Sequence, residues 1–504
     1  MRRKVLILIA VASVIRCFIA ATTELGNDEV YYWTYALDLQ WNYFDHPPGV
    51  AVLIRLSTIN LLLNNELFIR LGAIICAASN TWLIFLTAKK IKNEKAGYYA
   101  ALLFTASVYC SLIAGTFILP DSPQLFFWLL SLNTAVDVFN THEITDRKRK
   151  KMIVFGLVAG IAILCKIHAI FLWVGLGMYI LFLNRNWLKE SAFYLALLLT
   201  TLCLFPIFIW NMDNNFITYT YHSNRVNQLG SYINWNSLLT ELTGEILYNN
   251  PVNFFICLAA LAALFFGKNF LTRQKALLLL FFSLPLITVV IFISLFRDTL
   301  PHWTGPAYTG MLLIAAAWMA EKKYALRLLL AANGLLLTAI ISGWWLINFY
   351  PGTLGNKTKE KFGDGDFTLD MYGWKNFARQ FMTFYKSDQQ QGNTKPGAFI
   401  ISDKWFPASH IDHYLAYPNH INFLCVGELN DIHNYYWLNN QRKQLYKGCD
   451  AYFITTSNNY HSPSPQLISQ FTTVDQPEII IQTRSGIPVR YFYVYGLKGY
   501  RFKN

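Results

Sequence analysis

Charge is scarce in this chain. Asp, Glu, Lys and Arg make up 14% of its 504 residues, against roughly 25% in ordinary soluble proteins. That composition excludes a disordered chain, a collagen-like chain and a coiled coil. Cysteine is sparse and unpatterned: eight residues with no CxxC pair rule out a small disulfide scaffold. Six of the eight sit in apolar runs as small hydrophobes, and only Cys425 and Cys449 lie in the polar tail, where an extracytoplasmic location would let them pair. HExxH, GxGxxG and Walker motifs are missing. Asp364-Gly365-Asp366 lacks the rest of a calcium loop, and the short spacing of His410, Asp412 and His413 reads as a surface feature. The net charge of +13 is not arranged as a basic stripe interleaved with aromatics, so no nucleic-acid partner is expected.

What is abundant is apolar surface. Hydrophobic residues account for 54% and aromatics for 16%, and the mean hydropathy is +0.30 although the last 150 or so residues are ordinary and polar. The earlier two thirds must then be strongly apolar, as in a polytopic membrane protein. A span needs about 20 mostly apolar residues. Qualifying runs are 4–22, 67–88, 96–116, 123–140, 152–168, 169–184, 190–210, 252–267, 276–296, 303–320 and 324–348, the fifth and sixth being short and nearly continuous around Lys166 and His168. With eleven spans, the basic clusters at Arg2–Lys4, Lys89–Lys95, Arg147–Lys151, Arg185–Lys189, Lys268–Lys275 and Lys322–Arg327 all fall on one side. The positive-inside rule then puts the N-terminus in the cytoplasm and the C-terminus outside. The N-terminal segment has signal-peptide features but reads as an uncleaved first helix. Domains are expected at 1–348, a membrane domain with a juxtamembrane first outer loop at 22–66, and at 349–504. The second begins with a linker to Asp366 and continues with β-like runs at 398–402, 421–426, 451–455, 478–483 and 489–495. Helices at 371–386 and 409–417 make it a small extracytoplasmic α/β domain.

The outer loops hold the residues suited to chemistry. Asn27 or Asp28 can cap a helix bearing Tyr31, Tyr32, Trp33 and Tyr35, suited to the membrane interface. This loop places Asp28, Glu29, Asp45 and His46 beside the bilayer, where a carboxylate's pKa rises towards that of a useful base; equally, Asp28 is a cap and the aromatics a belt. Asp121, in Leu119-Pro120-Asp121-Ser122-Pro123, is either a functional carboxylate at the interface or a helix cap. Lys166 either snorkels or binds an anion. Arg225, near His222, and Arg297, before His302 and Trp303, are either surface anchors or forks for a lipid phosphate. Carboxylates and cations on one membrane face suit group transfer from a lipid phosphate.

Four segments carry a family resemblance. DEVYYWTYALDLQWNYFDHPP (28–48) resembles the first-loop signature of the family 39/83 glycosyltransferases with the GT-C fold, a group that includes protein O-mannosyltransferases and the lipid A aminoarabinose transferase. LPDSPQLFFW (119–128), GIAILCKIHA (160–169) and LPHWTGPAY (300–308) are similar to its later motifs, in matching order over about 340 residues. The resemblance implies a GT-C membrane domain and a polyprenyl-phosphate-sugar donor at the outer face of a bacterial inner membrane. It also implies inverting transfer to an envelope acceptor without a nucleotide. By that analogy Asp28 is the base, Glu29 its neighbour in support, and Asp121 orients acceptor or sugar. Lys166 and Arg225 hold the donor phosphate, with Arg297 as a further cation. His46 stands where the aminoarabinose transferase has Lys, and Asp45 where it has Glu. Tyr32, Asp45, His222, His302 and Trp303 line the substrate loops. No cofactor is required, and a divalent metal near Asp45 and His222 would be inessential. A polyprenyl-lipid flippase would use the same bundle and cations but would not need Asp28 near an anomeric carbon, and a non-catalytic envelope scaffold would need neither.

Overall fold

The computed structural model describes residues 1–141, 143–226, 232–267 and 269–502, without the side chains of 224–226 and 360. The helices run α1 (Arg2–Thr22), α2 (Asn27–Leu37), α3 (Gly49–Ser57), α4 (Glu66–Ile91), α5 (Glu94–Ala106), α6 (Asp121–Val138), α7 (Asp146–Cys165) and α8 (Phe171–Leu183). They continue with α9 (Ser191–Asp213), α10 (Ile217–Val226), α11 (Trp235–Tyr248), α12 (Pro251–Phe265), α13 (Arg273–Ser294), α14 (Gly305–Met319) and α15 (Ala325–Phe349). Ten of the eleven expected apolar runs fall largely on one of these helices each; the run 96–116 starts as α5 but leaves it at Ala106 and continues through a π-helical turn at Tyr109–Ile113. Among the described residues, five helices (α1, α4, α9, α13 and α15) are long and apolar enough to cross a membrane alone, and α11 with α12 make a sixth if that bent pair is one span. The 98° bend between them has a local cause. Asn250 takes a left-handed φ of 68° and its amide donates to the carbonyls of Ala106 and Ala332, while Pro251 starts α12.

The chain forms two compact units, Met1–Ala20 with Leu39–Ile340 and Ala21–Asp38 with Ile341–Asn504. In the first, small residues let helices approach where apolar burial gives no preference over lipid. A Cβ on Gly156 of α7 would lie 2.2 Å from the Ala196 carbonyl oxygen of α9, and one on Gly160 would lie 2.9 Å from Cys203. The pair Gly156-x-x-x-Gly160 thus faces Ala196-x-x-x-Thr200, and the Thr200 hydroxyl donates to the Gly156 carbonyl at 2.6 Å.

The second unit is α/β. Its six strands are β1 (Phe399–Ser402), β2 (Phe423–Cys425), β3 (Ala451–Thr456), β4 (Phe471–Val474), β5 (Glu478–Arg484) and β6 (Ile487–Tyr500). The order is β2-β1-β3-β6-β4, with β5 also on β6; β1 pairs parallel with β2 and β3, and the rest are antiparallel. Every residue of β1, β2 and β3 is buried, as expected of parallel strands covered on both faces, whereas β5 alternates. Helix α16 (Trp374–Gln390) covers one face, its Phe377 stacked on Phe492 with ring centroids 3.7 Å apart. Five of the six strands fall on expected runs; the short, half-polar β4 does not.

Three expectations change here. Helix α2 is not an interface helix: Glu29 to Ala36 are all buried against α17 (Trp405–Ile411) and the turn after it. Trp33 lies on His413 (4.6 Å) and Tyr31 on Trp405 (5.1 Å), Leu25 N–H donates to the Tyr414 hydroxyl (2.7 Å), and the Glu24 carboxylate accepts from the Trp374 and Lys375 amides. Ala21–Asp38 therefore belongs with Ile341–Asn504 in one compact unit, not to a membrane domain of residues 1–348 as the sequence suggests. Second, His410, Asp412 and His413 are buried, not surface groups. His410 stacks on Trp374 at 4.1 Å, and Asp412 accepts from Tyr435 and Arg442. Third, the segment to Asp366 is no loose linker. Asp366 accepts from Thr353 and from the Leu354 amide, while the Arg484 guanidinium donates to the carbonyls of Ile347, Tyr350 and Gly352 at the end of α15. Cys425 and Cys449 are both buried and free.

Candidate active site

In the first unit the site is assembled at helix ends. Lys166 terminates α7. Its φ and ψ of −158° and 131° turn the chain out of the helix, and a short 3-10 turn at Ile167–Ile170 leads into α8. A break in the apolar run thus places one cation at a fixed point. Asp121 begins α6, and its Oδ2 accepts from Lys166 Nζ at 2.8 Å, with both side chains 3% exposed. Oδ1 accepts from the Tyr109 hydroxyl at 3.1 Å. Tyr109 is held by contact with backbone, since a Cβ on Gly305 would overlap its ring at 2.5 Å. Neither residue is an exposed helix cap or a snorkelling lysine: they form one buried ion pair, which needs close geometry and further hydrogen bonds to offset desolvation.

Around the pair lie four histidines. His46 is mostly buried, its Nε2 4.0 Å from Asp45 Oδ2 and its ring 6.4 Å from that of His222. His222 donates from Nε2 to the Asp45 carbonyl at 2.9 Å, which fixes its tautomer. His302 sits 6.1 Å from the Tyr248 ring, and Trp303 lies 5.3 Å from His168. Burial lowers the pKa of His46 to about 4 against the opposing pull of Asp45, with Lys166 and His222 adding to the drop. Burial, then Lys166, brings His302 to about 4 as well. Both rings are neutral at pH 7, so neither supplies positive charge to the cluster. No group of three or more His, Cys, Asp and Glu side chains that could hold a metal occurs among the described residues.

Asp45, His46, Asp121, Lys166, His222, His302 and Trp303 thus belong to one unit. Arg297 follows α13, its amide closing the last turn on Ile293 at 3.2 Å. Arg225 lies in α10, with its side chain outside the described residues. Asp28, Glu29 and Tyr32 belong to the other unit, on α2. Gly26, rather than Asn27 or Asp28, is the helix N-cap. Glu29 is 2% exposed and its Oε2 accepts from the Gly26 amide at 2.9 Å, Asn27 is taken up by His410 (2.9 Å), and Asp28 stays exposed in the first turn. Tyr32 is buried beside Tyr35.

Two carboxylates escaped the sequence reading. Glu241 and Glu245, one turn apart on α11, are buried, accepting from Thr299 (2.6 Å) and Tyr308 (2.9 Å). The motif turn at Pro301 presses against the helix between them, at Gly244. Their i, i+4 spacing is visible in the sequence, but the stretch 211–251 reads there as a loop.

The family model described as dolichyl-phosphate-mannose-protein mannosyltransferase matches residues 45–210, the segment carrying Asp45, His46, Asp121 and Lys166. The chain is 24% identical over 319 residues to the lipid A galacturonosyltransferase RgtD of Rhizobium johnstonii, covering 62% of this chain and 64% of that one. Less than two thirds of that relative is therefore spanned. Among solved structures, ArnT from Cupriavidus metallidurans in the apo state matches with a TM-score of 0.62, 13% identity and 97% coverage of both chains. The same protein bound to undecaprenyl phosphate matches with a TM-score of 0.62, 15% identity and the same coverage. The fold is that of the GT-C glycosyltransferases. The family model takes in the second and third of the four motifs, 119–128 and 160–169. The Asp121–Lys166 pair joins those two motifs within this fold.

Proposed function

We propose that this protein is an inverting glycosyltransferase moving a sugar from a polyprenyl-phosphate-sugar donor to an envelope acceptor (a lipid, glycan or protein) at the outer face of a bacterial inner membrane. The observation that carries the reading is the buried Asp121–Lys166 pair, held at two helix ends inside the segment matched to sugar transferases. The undecaprenyl phosphate bound to one structural relative supports a lipid-phosphate donor.

In the proposed reaction the acceptor hydroxyl or amine attacks the anomeric carbon. The new bond forms as the bond to the phosphate oxygen breaks, and the polyprenyl phosphate leaves with the electron pair. Lys166 balances the charge growing on that phosphate, aided by Arg225 and Arg297. Asp121 holds the Lys166 ammonium in place before the donor arrives, and orients the acceptor or sugar. Asp28 takes the nucleophile's proton; its exposure suits a base that must reach an incoming acceptor. Glu29, spent on the Gly26 amide, acts by fixing the first turn that bears Asp28. His46 and His302, being neutral, offer hydrogen bonds to sugar or phosphate rather than charge, and Asp45, Tyr32, His222 and Trp303 shape the surrounding loops. Protein side chains complete this chemistry, and a divalent ion near Asp45 and His222 would be auxiliary.

The test is turnover by purified protein in nanodiscs, offered a panel of polyprenyl-phosphate sugars with an envelope lipid extract. Wild type should transfer sugar from at least one donor, while Asp28→Asn and Lys166→Met should not. Lipid binding with no transfer from any donor would overturn the reading in favour of a flippase.

A further inference from the structure

A cavity of about 240 Å³ opens on the side of the first unit, between α1, the turn after α5, and α15. Its walls are mostly aliphatic, including Val11, Ile15, Leu112 and Leu337, and Val11 and Leu337 are exposed at its mouth. On a bundle that spans a membrane, this outer face meets lipid. At the closed end stands Arg16, 3% exposed. Its Nε and Nη2 donate to the carbonyl and hydroxyl of Ser111, at 3.3 and 3.1 Å. Its third nitrogen, Nη1, is buried with no hydrogen-bond partner, and so is the Thr105 hydroxyl oxygen that also lines the cavity. Arg16 has no ion-pair partner among the described residues. A buried guanidinium with neither counter-ion nor full hydrogen bonding is costly to leave so, and groups of this kind are commonly completed by a ligand.

We infer that this cavity binds the anionic headgroup and upper chain of a membrane glycerophospholipid, with Arg16 as the headgroup anchor. The wall chemistry suits an acyl chain, and the unused N–H of Arg16 suits a phosphate oxygen. Charge selects the class. Among the described residues Arg16 is the only charged one lining the cavity, which matches a phosphodiester with one negative charge. A phosphate monoester carries about −1.5 to −2 at neutral pH and would call for a second cation, so a free polyprenyl phosphate is the poorer fit; a sugar-loaded polyprenyl phosphate is itself a phosphodiester and is separated from a glycerophospholipid by competition. Arg16 lies six residues before the end of α1, roughly 9 Å along the helix, within reach of a long side chain stretching towards the interface. The site is separate from the Asp121–Lys166 cluster, although one turn of π-helix, Tyr109–Ile113, supplies Tyr109 to Asp121 and Ser111 to Arg16.

Native mass spectrometry of the full-length protein tests this, after exchange into detergent with phosphatidylglycerol or phosphatidylcholine. Two variants probe different parts of the site. Arg16→Gln removes the anchor. Gly334→Leu puts a bulky side chain on the cavity wall and leaves Arg16 in place; a Cβ at Gly334 would meet nothing within 4 Å, so the backbone there accepts a side chain. Wild type should keep one phosphatidylglycerol in preference to phosphatidylcholine, and each variant should hold it at least about tenfold more weakly. Equal retention of the two lipids, retention unchanged in Gly334→Leu, or loss in Gly334→Leu but not in Arg16→Gln would each overturn the assignment. Displacement by equimolar undecaprenyl phosphate or by an undecaprenyl-phosphate sugar would overturn the choice of a phospholipid.

Discussion

Replacing Lys166 by Met tests the Asp121–Lys166 pair most directly. The substitution keeps the volume of the side-chain stem and removes only the ammonium, 2.8 Å from Asp121 Oδ2. It leaves a carboxylate that is 3% exposed, hydrogen-bonded to the Tyr109 hydroxyl alone. Removing one partner of a buried pair typically costs about 3–5 kcal/mol, because the other charge is stranded away from water. Asp121→Asn should cost less, since the freed lysine can stretch or lose its proton. The double variant removes both charges and should lie well above the sum of the single losses, with a coupling of about 2 kcal/mol or more. Thermal unfolding followed by thiol labelling suits the measurement, because Cys110 and Cys165, next to Tyr109 and Lys166, are buried and free until the unit opens. Single losses that simply add, or single variants as stable as wild type, would refute the reasoning. Activity supplies an independent axis, because restored stability in the double variant should come with no sugar transfer.

Three further outcomes follow from the same geometry. Gly156→Leu should lower stability by roughly 3 kcal/mol, at the upper end of overpacking costs, because even a Cβ there would meet the Ala196 carbonyl oxygen at 2.2 Å; the thiol-labelling melt would show it. His46 and His302 each fall from an ordinary 6.5 to about 4 on folding, so between those values the unfolded chain binds the extra protons. Stability should rise with pH across pH 4 to 6.5, by at most about 1.4 kcal/mol per unit for each ring, and His46→Gln should flatten that dependence; a melt series from pH 4.5 to 7.5 checks the sign. Glu24→Ala removes the carboxylate that accepts the first amides of α16. It should cost about 1 kcal/mol and speed hydrogen exchange at Trp374 to Phe377 while leaving α4 unchanged.

What the sequence determined by itself is whatever depends on near neighbours in the chain. Apolar runs too long for anything but buried helix fixed the membrane bundle. The interruption at Lys166 was legible because a lysine inside an apolar run has few places to go. The alternation in Glu478–Arg484 and the apolar run Ala451–Thr456 announced strands by period and composition. The four motifs, read as a family resemblance, led to the GT-C fold that the structural comparison shows. What only the tertiary structure decided is how distant groups are paired. Nothing local tells whether Tyr31 and Trp33 face lipid or a domain that begins 300 residues later, since both are apolar surroundings; the answer came from Trp405 and His413. The local sequence left Asp121 open between cap and functional carboxylate, and Lys166 between snorkelling and anion binding; their 2.8 Å contact is a pairing that only the fold makes. His410 and Asp412 looked superficial because polar residues usually are, and became core only through Trp374 and Arg442. Burial of a polar group depends on a partner brought in from elsewhere in the chain, and such partners are set by the fold as a whole rather than by the local text.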